Sequence, residues 1–216
     1  MLGLGASAPA TDFKSWNPED ENIVIWLTAR EEDLTLSTAN VVTWTSRVPK
    51  GGDLAFTQAA EESQPNWEEA TQEVVFVVAN TDHQIDADTD IVLDTSSGWT
   101  IAMYIRMRDW KTANQVIIGE KDSNNNYFRH DATNKTFTLK MGGGTAQSRT
   151  FTVDTPDGLT NDQYYHIMLV SDIEGGCVLY IDNVAQTDEE DFANDRDFTI
   201  NEIGGKNTTS QCMDGG

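Results

Sequence analysis

Apolar side chains in this chain recur at every second position far more clearly than at every third or fourth. In residues 99–107, Trp99, Ile101, Met103, Ile105 and Met107 fall on one face, while Thr100, Tyr104 and Arg106 fall on the other. That period predicts a half-buried strand. Residues 116–119 and 127–130 read as short strands around the polar turn 122–126. Residues 135–141 follow and end at three glycines, and 149–153 end at Thr155-Pro156-Asp157-Gly158. The strongest hairpin joins 164–171 to 177–182 through a five-residue loop containing Gly175 and Gly176. Asp182-Asn183 predicts a second tight turn, because both residue types tolerate left-handed backbone. A last strand over 198–203 is closed by Gly204-Gly205.

The N-terminal third is less regular. Residues 22–28 and 41–45 read as strands, and the unbroken apolar run 74–79 suits a strand covered on both faces. Residues 58–73 are acidic and polar, and read as a loop or a short helix. No helical stripe exceeds two turns, and no repeat or linker divides the chain. The expectation is an all-β sandwich or barrel, with short helices or turns only. It forms one domain over residues 19–216, preceded by an N-terminal arm of residues 1–18.

Charge narrows the function classes. The 216 residues carry 14 basic and 36 acidic side chains, a net charge of −22. Such a chain lacks the phosphate-neutralising surface that nucleic acid demands. No uncharged run approaches the ~20 residues that span a bilayer, so no membrane partner is expected. The opening ten residues have no basic segment, so no secretory signal is expected, and the glycosylation patterns at Asn134 and Asn207 carry no meaning without one. Cys177 and Cys212 read as two reduced thiols, with a single bridge as the alternative.

Several short motifs, taken in order, resemble the concanavalin A-like lectin/glucanase superfamily in its laminin-G-like and pentraxin-like branch. Trp26-Leu27-Thr28-Ala29 resembles the Trp-Leu-Asp-Ala opening of one subset. Trp44 followed by Ala55-Phe56-Thr57-Gln58, and then Gln64-Pro65-Asn66-Trp67, echo its later pattern. Trp99 to Tyr104 is similar to its Phe-Thr-Ile-Ala-Phe-Trp strand. Tyr165-His166-Ile167 with Leu179-Tyr180-Ile181-Asp182-Asn183 is similar to its Trp-His-Val and Leu-Tyr-Val-Asp-Gly hairpin, and Ile203-Gly204-Gly205 to its Ile-Gly-Gly. The resemblance covers residues 20–216 and implies a two-sheet antiparallel jelly-roll sandwich. In the family a buried apolar strand follows the segment that here reads Met213-Asp214-Gly215-Gly216. Either this sequence is a fragment, or another chain fills that sheet position.

Hydrolases of the superfamily carry Glu-x-Asp-x-x-Glu on one strand, which lets two carboxylates straddle a glycosidic bond. That spacing is missing from every apolar-flanked strand here, so no catalytic residue is assigned. Glu31-Glu32-Asp33 and residues 188–191 read as solvated charge in turns.

Asp86, Asp88 and Asp90 share one face if extended, where they suit either a calcium ion or an exposed acidic edge. The run is no EF-hand, since Ile91 and Ser97 replace its glycine and glutamate. Asp122 to Asn126 is the lesser cation candidate, and a plain polar turn otherwise. No cofactor is assigned. His166 reads as structural; a thiol site with Cys177 requires the two adjacent across the hairpin and a third group to orient the histidine. Trp26 and Trp99 read as core. Trp16, Trp44, Trp67 and Trp110 flank turns, where exposed members would stack on sugars or on protein partners, with Trp16 the preferred subunit contact.

The opening Met1-Leu2-Gly3-Leu4-Gly5 also resembles structural proteins of tailed phages from aquatic bacteria. These readings together lead to an expected non-enzymatic virion structural protein. It would be made in the host cytoplasm and would decorate a capsid or tail, or mediate attachment. Its expected partners are other virion subunits in a homo-oligomer or lattice. The alternative is a carbohydrate-binding module for host or surface glycans.

Overall fold

The structure is a computed structural model. It describes residues 4–5, 25, 27–47, 54–77, 83–110, 114–121, 123–131, 135–142, 147–154, 158–173, 176–188, 192, 196–205, 213 and 216. Strands β1 (Leu4–Gly5) and β2 (Leu27–Thr28) lie side by side in parallel. Next come β3 (Leu34–Ser37), β4 (Asn40–Thr45), β5 (Ala55–Thr57), β6 (Asn66–Glu68), β7 (Glu73–Val75), β8 (Ile85–Asp94) and β9 (Trp99–Arg106). The rest are β10 (Gln115–Gly119), β11 (Tyr127–Asp131), β12 (Thr136–Met141), β13 (Gln147–Thr152), β14 (Tyr164–Ser171), β15 (Cys177–Ile181), β16 (Val184–Ala185), β17 (Thr187–Asp188) and β18 (Asp197–Ile203).

A 12-stranded sheet runs β17-β13-β12-β11-β10-β18-β8-β5-β4-β6-β7, with β3 paired to β4. A 4-stranded sheet runs β16-β15-β14-β9. Their ladders are antiparallel, and the two sheets pack as a sandwich around one core. Helical residues among those described are confined to single 3₁₀ turns such as Glu31–Asp33 and Glu61–Ser63.

The period-two reading of residues 99–107 holds. Trp99, Ile101, Met103 and Ile105 point inward, and β9 pairs with β14 over eight residues, from Tyr164 opposite Arg106 to Ser171 opposite Trp99. These side chains meet Phe56, Phe128, Phe137, Phe151 and Phe198 from the larger sheet in one continuous core. Each such burial contributes roughly 1.5–3 kcal/mol. Asp182 and Asn183 both take positive φ, 49° and 67°, which gives the twist a two-residue hairpin needs.

Three expectations need correction. The segment 58–73 does hold a short helix, the single 3₁₀ turn Glu61–Ser63, but it also contains a strand, β6, which pairs antiparallel with β7. Trp44 and Trp110 are buried, at 3% and 2% exposure, and Trp67 is partly buried. Trp44 donates its indole N–H to the Thr28 carbonyl at 2.8 Å and Trp67 donates to Ala29 at 3.3 Å, so both pin the end of β2. Asp33 is also buried rather than solvated, accepting the Thr28 hydroxyl and the Arg47 guanidinium. Trp16 and Trp26 lie outside the described residues, as do Asn134, Asn207, Cys212 and nearly all of residues 1–18.

Candidate functional site

The outer edge of β9 is where chain segments distant in sequence converge. Antiparallel partners alternate between bonded and non-bonded pairs. Arg106 directs its backbone away from β14, giving its N–H to the Gly216 carbonyl at 2.5 Å and accepting the Gly216 N–H at 2.8 Å. The same alternation puts the backbone groups of Tyr104, Ala102 and Thr100 on that edge, and β1 packs beside it. An apolar cavity opens here between the sheets, lined by Trp44, Phe76, Ile105 and Met213 among others.

A charged cluster ties the layers together at one end of this edge. Glu73 of β7, 3% exposed, accepts two hydrogen bonds from the Arg106 guanidinium, at 3.0 and 2.9 Å. It also accepts the Tyr164 hydroxyl, and Arg106 reaches Asp162 at 3.3 Å. Burial pushes the Glu73 carboxyl up, but the hydrogen bonds from Arg106 and Tyr164 outweigh it and hold the group below its usual range. Burial, then the Glu73 carboxylate, pushes the Tyr164 hydroxyl up to about 12. This carboxylate is fully engaged. The arrangement offers backbone hydrogen bonds and apolar burial, and no group poised for proton transfer.

The residues singled out from sequence sit elsewhere. Asp86 pairs with the Lys121 ammonium, and Asp90 accepts the Asn201 amide at 2.7 Å. Asp88 is exposed, so a lysine and an amide hold the ground where a cation would stand. Among the described residues no group of three or more His, Cys, Asp or Glu side chains is arranged to hold a metal. Asp122 lies outside the described residues. Asn126 of the same turn is buried and accepts the Gly142 N–H at 2.8 Å, a structural role.

His166 and Cys177 are not brought together. His166 stands opposite Tyr104 on the outer face, its ring tilted by 30° against the tyrosine ring at 4.8 Å, whereas Cys177 stands opposite Ser171 and points into the core. Five positions and a full sheet thickness part them, because odd and even residues of β14 face opposite ways.

His130 carries no expectation from sequence, yet it is a deeply buried histidine. It lies 2% exposed on β11, 4.8 Å from the Trp110 ring and 5.1 Å from Phe137. Burial lowers its pKa from 6.5 to about 4. The unfolded chain therefore binds the extra proton first as pH falls. Stability is fully present above about 6.5 and is lost as pH drops toward 4, by about 3 kcal/mol at most. Urea midpoints measured across that window should fall for the native protein. In a His130→Phe variant the slope should flatten.

Residues 79–215 match the Laminin_G_3 family, described as the concanavalin A-like lectin/glucanases superfamily. Among solved structures, the chain is similar to the mouse laminin alpha1 chain, domains LG4-5. The identity is 12%, with 65% of this chain and 38% of that chain covered and a TM-score of 0.42. It is also similar to HCR/D-Sa-GBL1/C, at 12% identity, 82% and 44% coverage and a TM-score of 0.48. A third is the botulinum neurotoxin type G receptor binding domain, at 12% identity, 80% and 49% coverage and a TM-score of 0.37. The chain spans less than half the length of each. No curated protein matches it.

Proposed function

The chain belongs to the concanavalin A-like lectin/glucanases superfamily, and from that premise we propose that it is a non-enzymatic structural protein of a virus particle. It decorates or attaches through a capsid or tail, presents its sandwich outward, and joins neighbouring subunits by strand addition. The observation that carries this reading is the outer edge of the eight-residue β9, which among the described residues bonds to Gly216 at Arg106 and has the two-residue β1 beside it, next to an apolar cavity. Main-chain hydrogen bonds at such an edge supply affinity, and alternate side chains dropping into the cavity supply specificity.

Two further features support it. The buried carboxylate at the edge is held by Arg106 and Tyr164, so it serves packing. The opening Met1-Leu2-Gly3-Leu4-Gly5 resembles that of phage structural proteins. The carbohydrate-binding reading draws on the family's lectins but finds little surface here, since Trp44, Trp99 and Trp110 are all core residues.

The test is cross-linking mass spectrometry on particles purified from the source. Cross-links from this chain to capsid or tail proteins are the expected result. Recovery only in the soluble fraction would overturn the proposal. A glycan-array signal abolished by Trp67→Ala would turn the assignment to sugar binding.

A further inference from the structure

Both outer faces of a sandwich ordinarily carry polar residues, because they meet water. The larger sheet obeys: Asp88, Asp90 and Asp94 on β8 and Asp197 on β18 are all exposed. The smaller sheet does not. Its strands of 8, 8, 5 and 2 residues contain no Asp or Glu, in a chain with 36 of them.

Alternation directs the even-numbered side chains of these strands outward, and the register aligns them in rows. Val170 lies opposite Val178, Met168 opposite both Tyr180 and Ala102, and His166 opposite Tyr104. Val184, beyond the second turn, is 59% exposed. Charge stands only at the margin. Arg106 is paired with Glu73 and Asp162, and Asp182 accepts the His166 backbone N–H. Tyrosine, methionine and valine without acids make the composition of an interface core, not of a solvated face.

We propose that this face packs against the same face of a second copy of the chain. Charge selects the occupant. Two molecules of net charge −22 repel at most approaches, and an acid-free layer is where they can touch without opposing carboxylates. The face is small, roughly 360 Å² from strand spacing and rise, well under the ~800 Å² per partner of a standard interface. The association is therefore reversible and concentration-dependent. It holds whether or not the protein sits on a particle, and so stands apart from the reading above.

Sedimentation velocity on the whole chain tests it, with thermal melts run alongside. Native protein should dimerise at near-millimolar concentration, and more tightly as NaCl rises from about 50 to about 500 mM, because salt screens the net repulsion. Met168→Glu and Tyr180→Glu, made separately, should each weaken dimerisation at least about tenfold. Val92→Glu, on the acidic face at a position 55% exposed, should leave it within about twofold. A second readout needs no variant: carbethoxylation of His166 should slow as the native protein is concentrated. A monomer at every concentration and salt would overturn the proposal. So would a dimer indifferent to both face variants, with His166 modified at an unchanged rate. Binding of a neutral glycan by a monomer, lost in the same variants, would also overturn it.

Discussion

Replacing Glu73 with alanine is expected to destabilise the protein by about 3–5 kcal/mol, read as a fall in the urea midpoint at pH 7. The carboxylate is almost wholly out of water, and Arg106, its main partner, has a side chain only 18% exposed. Removing one member leaves a guanidinium largely desolvated, with Asp162, itself exposed, as its remaining carboxylate among the described residues and the Tyr164 ring 5.6 Å away. The double change Glu73→Leu with Arg106→Met should recover most of the loss, since a well-packed apolar pair avoids the desolvation that the ion pair must overcome. Tyr164→Phe, which takes away one hydrogen bond to the same carboxylate, should cost less, about 1–2 kcal/mol. Equal losses in the single and double variants would show that the region depends on the charges themselves.

Gly204→Ala should cost about 3 kcal/mol or more, for two separable reasons. Gly204 has φ of +85°, a conformation that alanine adopts only under strain. A Cβ there would also stand 2.1 Å from the Phe76 ring, whose side chain is 1% exposed and has nowhere to retreat. Combining Gly204→Ala with Phe76→Leu relieves the second cause and leaves the first. The double-mutant cycle should therefore be non-additive by more than about 1 kcal/mol. An additive result would mean that the backbone alone makes Gly204 necessary. The Ile203-Gly204-Gly205 resemblance thus has a local cause: this turn passes directly under an aromatic ring.

What could be read from sequence was whatever rests on near neighbours. Strand β14 appears with the bounds that alternation predicts, and Asp182-Asn183 turns as its residue types dictate. Strand β8 was harder, because its polar middle interrupts the period. In the fold, Ile91 lies opposite Ile200 and Asp86 opposite Glu202, so the four residues between bulge against Asn201 alone. The turn-flanking tryptophans were misleading for a related reason. Trp44 donates to the Thr28 carbonyl and Trp110 packs on Phe137 and Tyr165, partners that only the completed sandwich brings near. The Glu73–Arg106 pair spans 33 positions and two sheets, and nothing in either residue's local context announces the other.

The grips at the edge of β9 have a mechanical meaning. Among the described residues Gly216 bonds to Arg106 and β1 pairs with β2 beside β9, while β9 itself is stitched to β14 along eight residues. Tension drawn through either segment loads these described bonds before it reaches the ladder. The long ladder is untouched until they have gone. The short pairings at this edge are therefore expected to open before the ladder between β9 and β14 does.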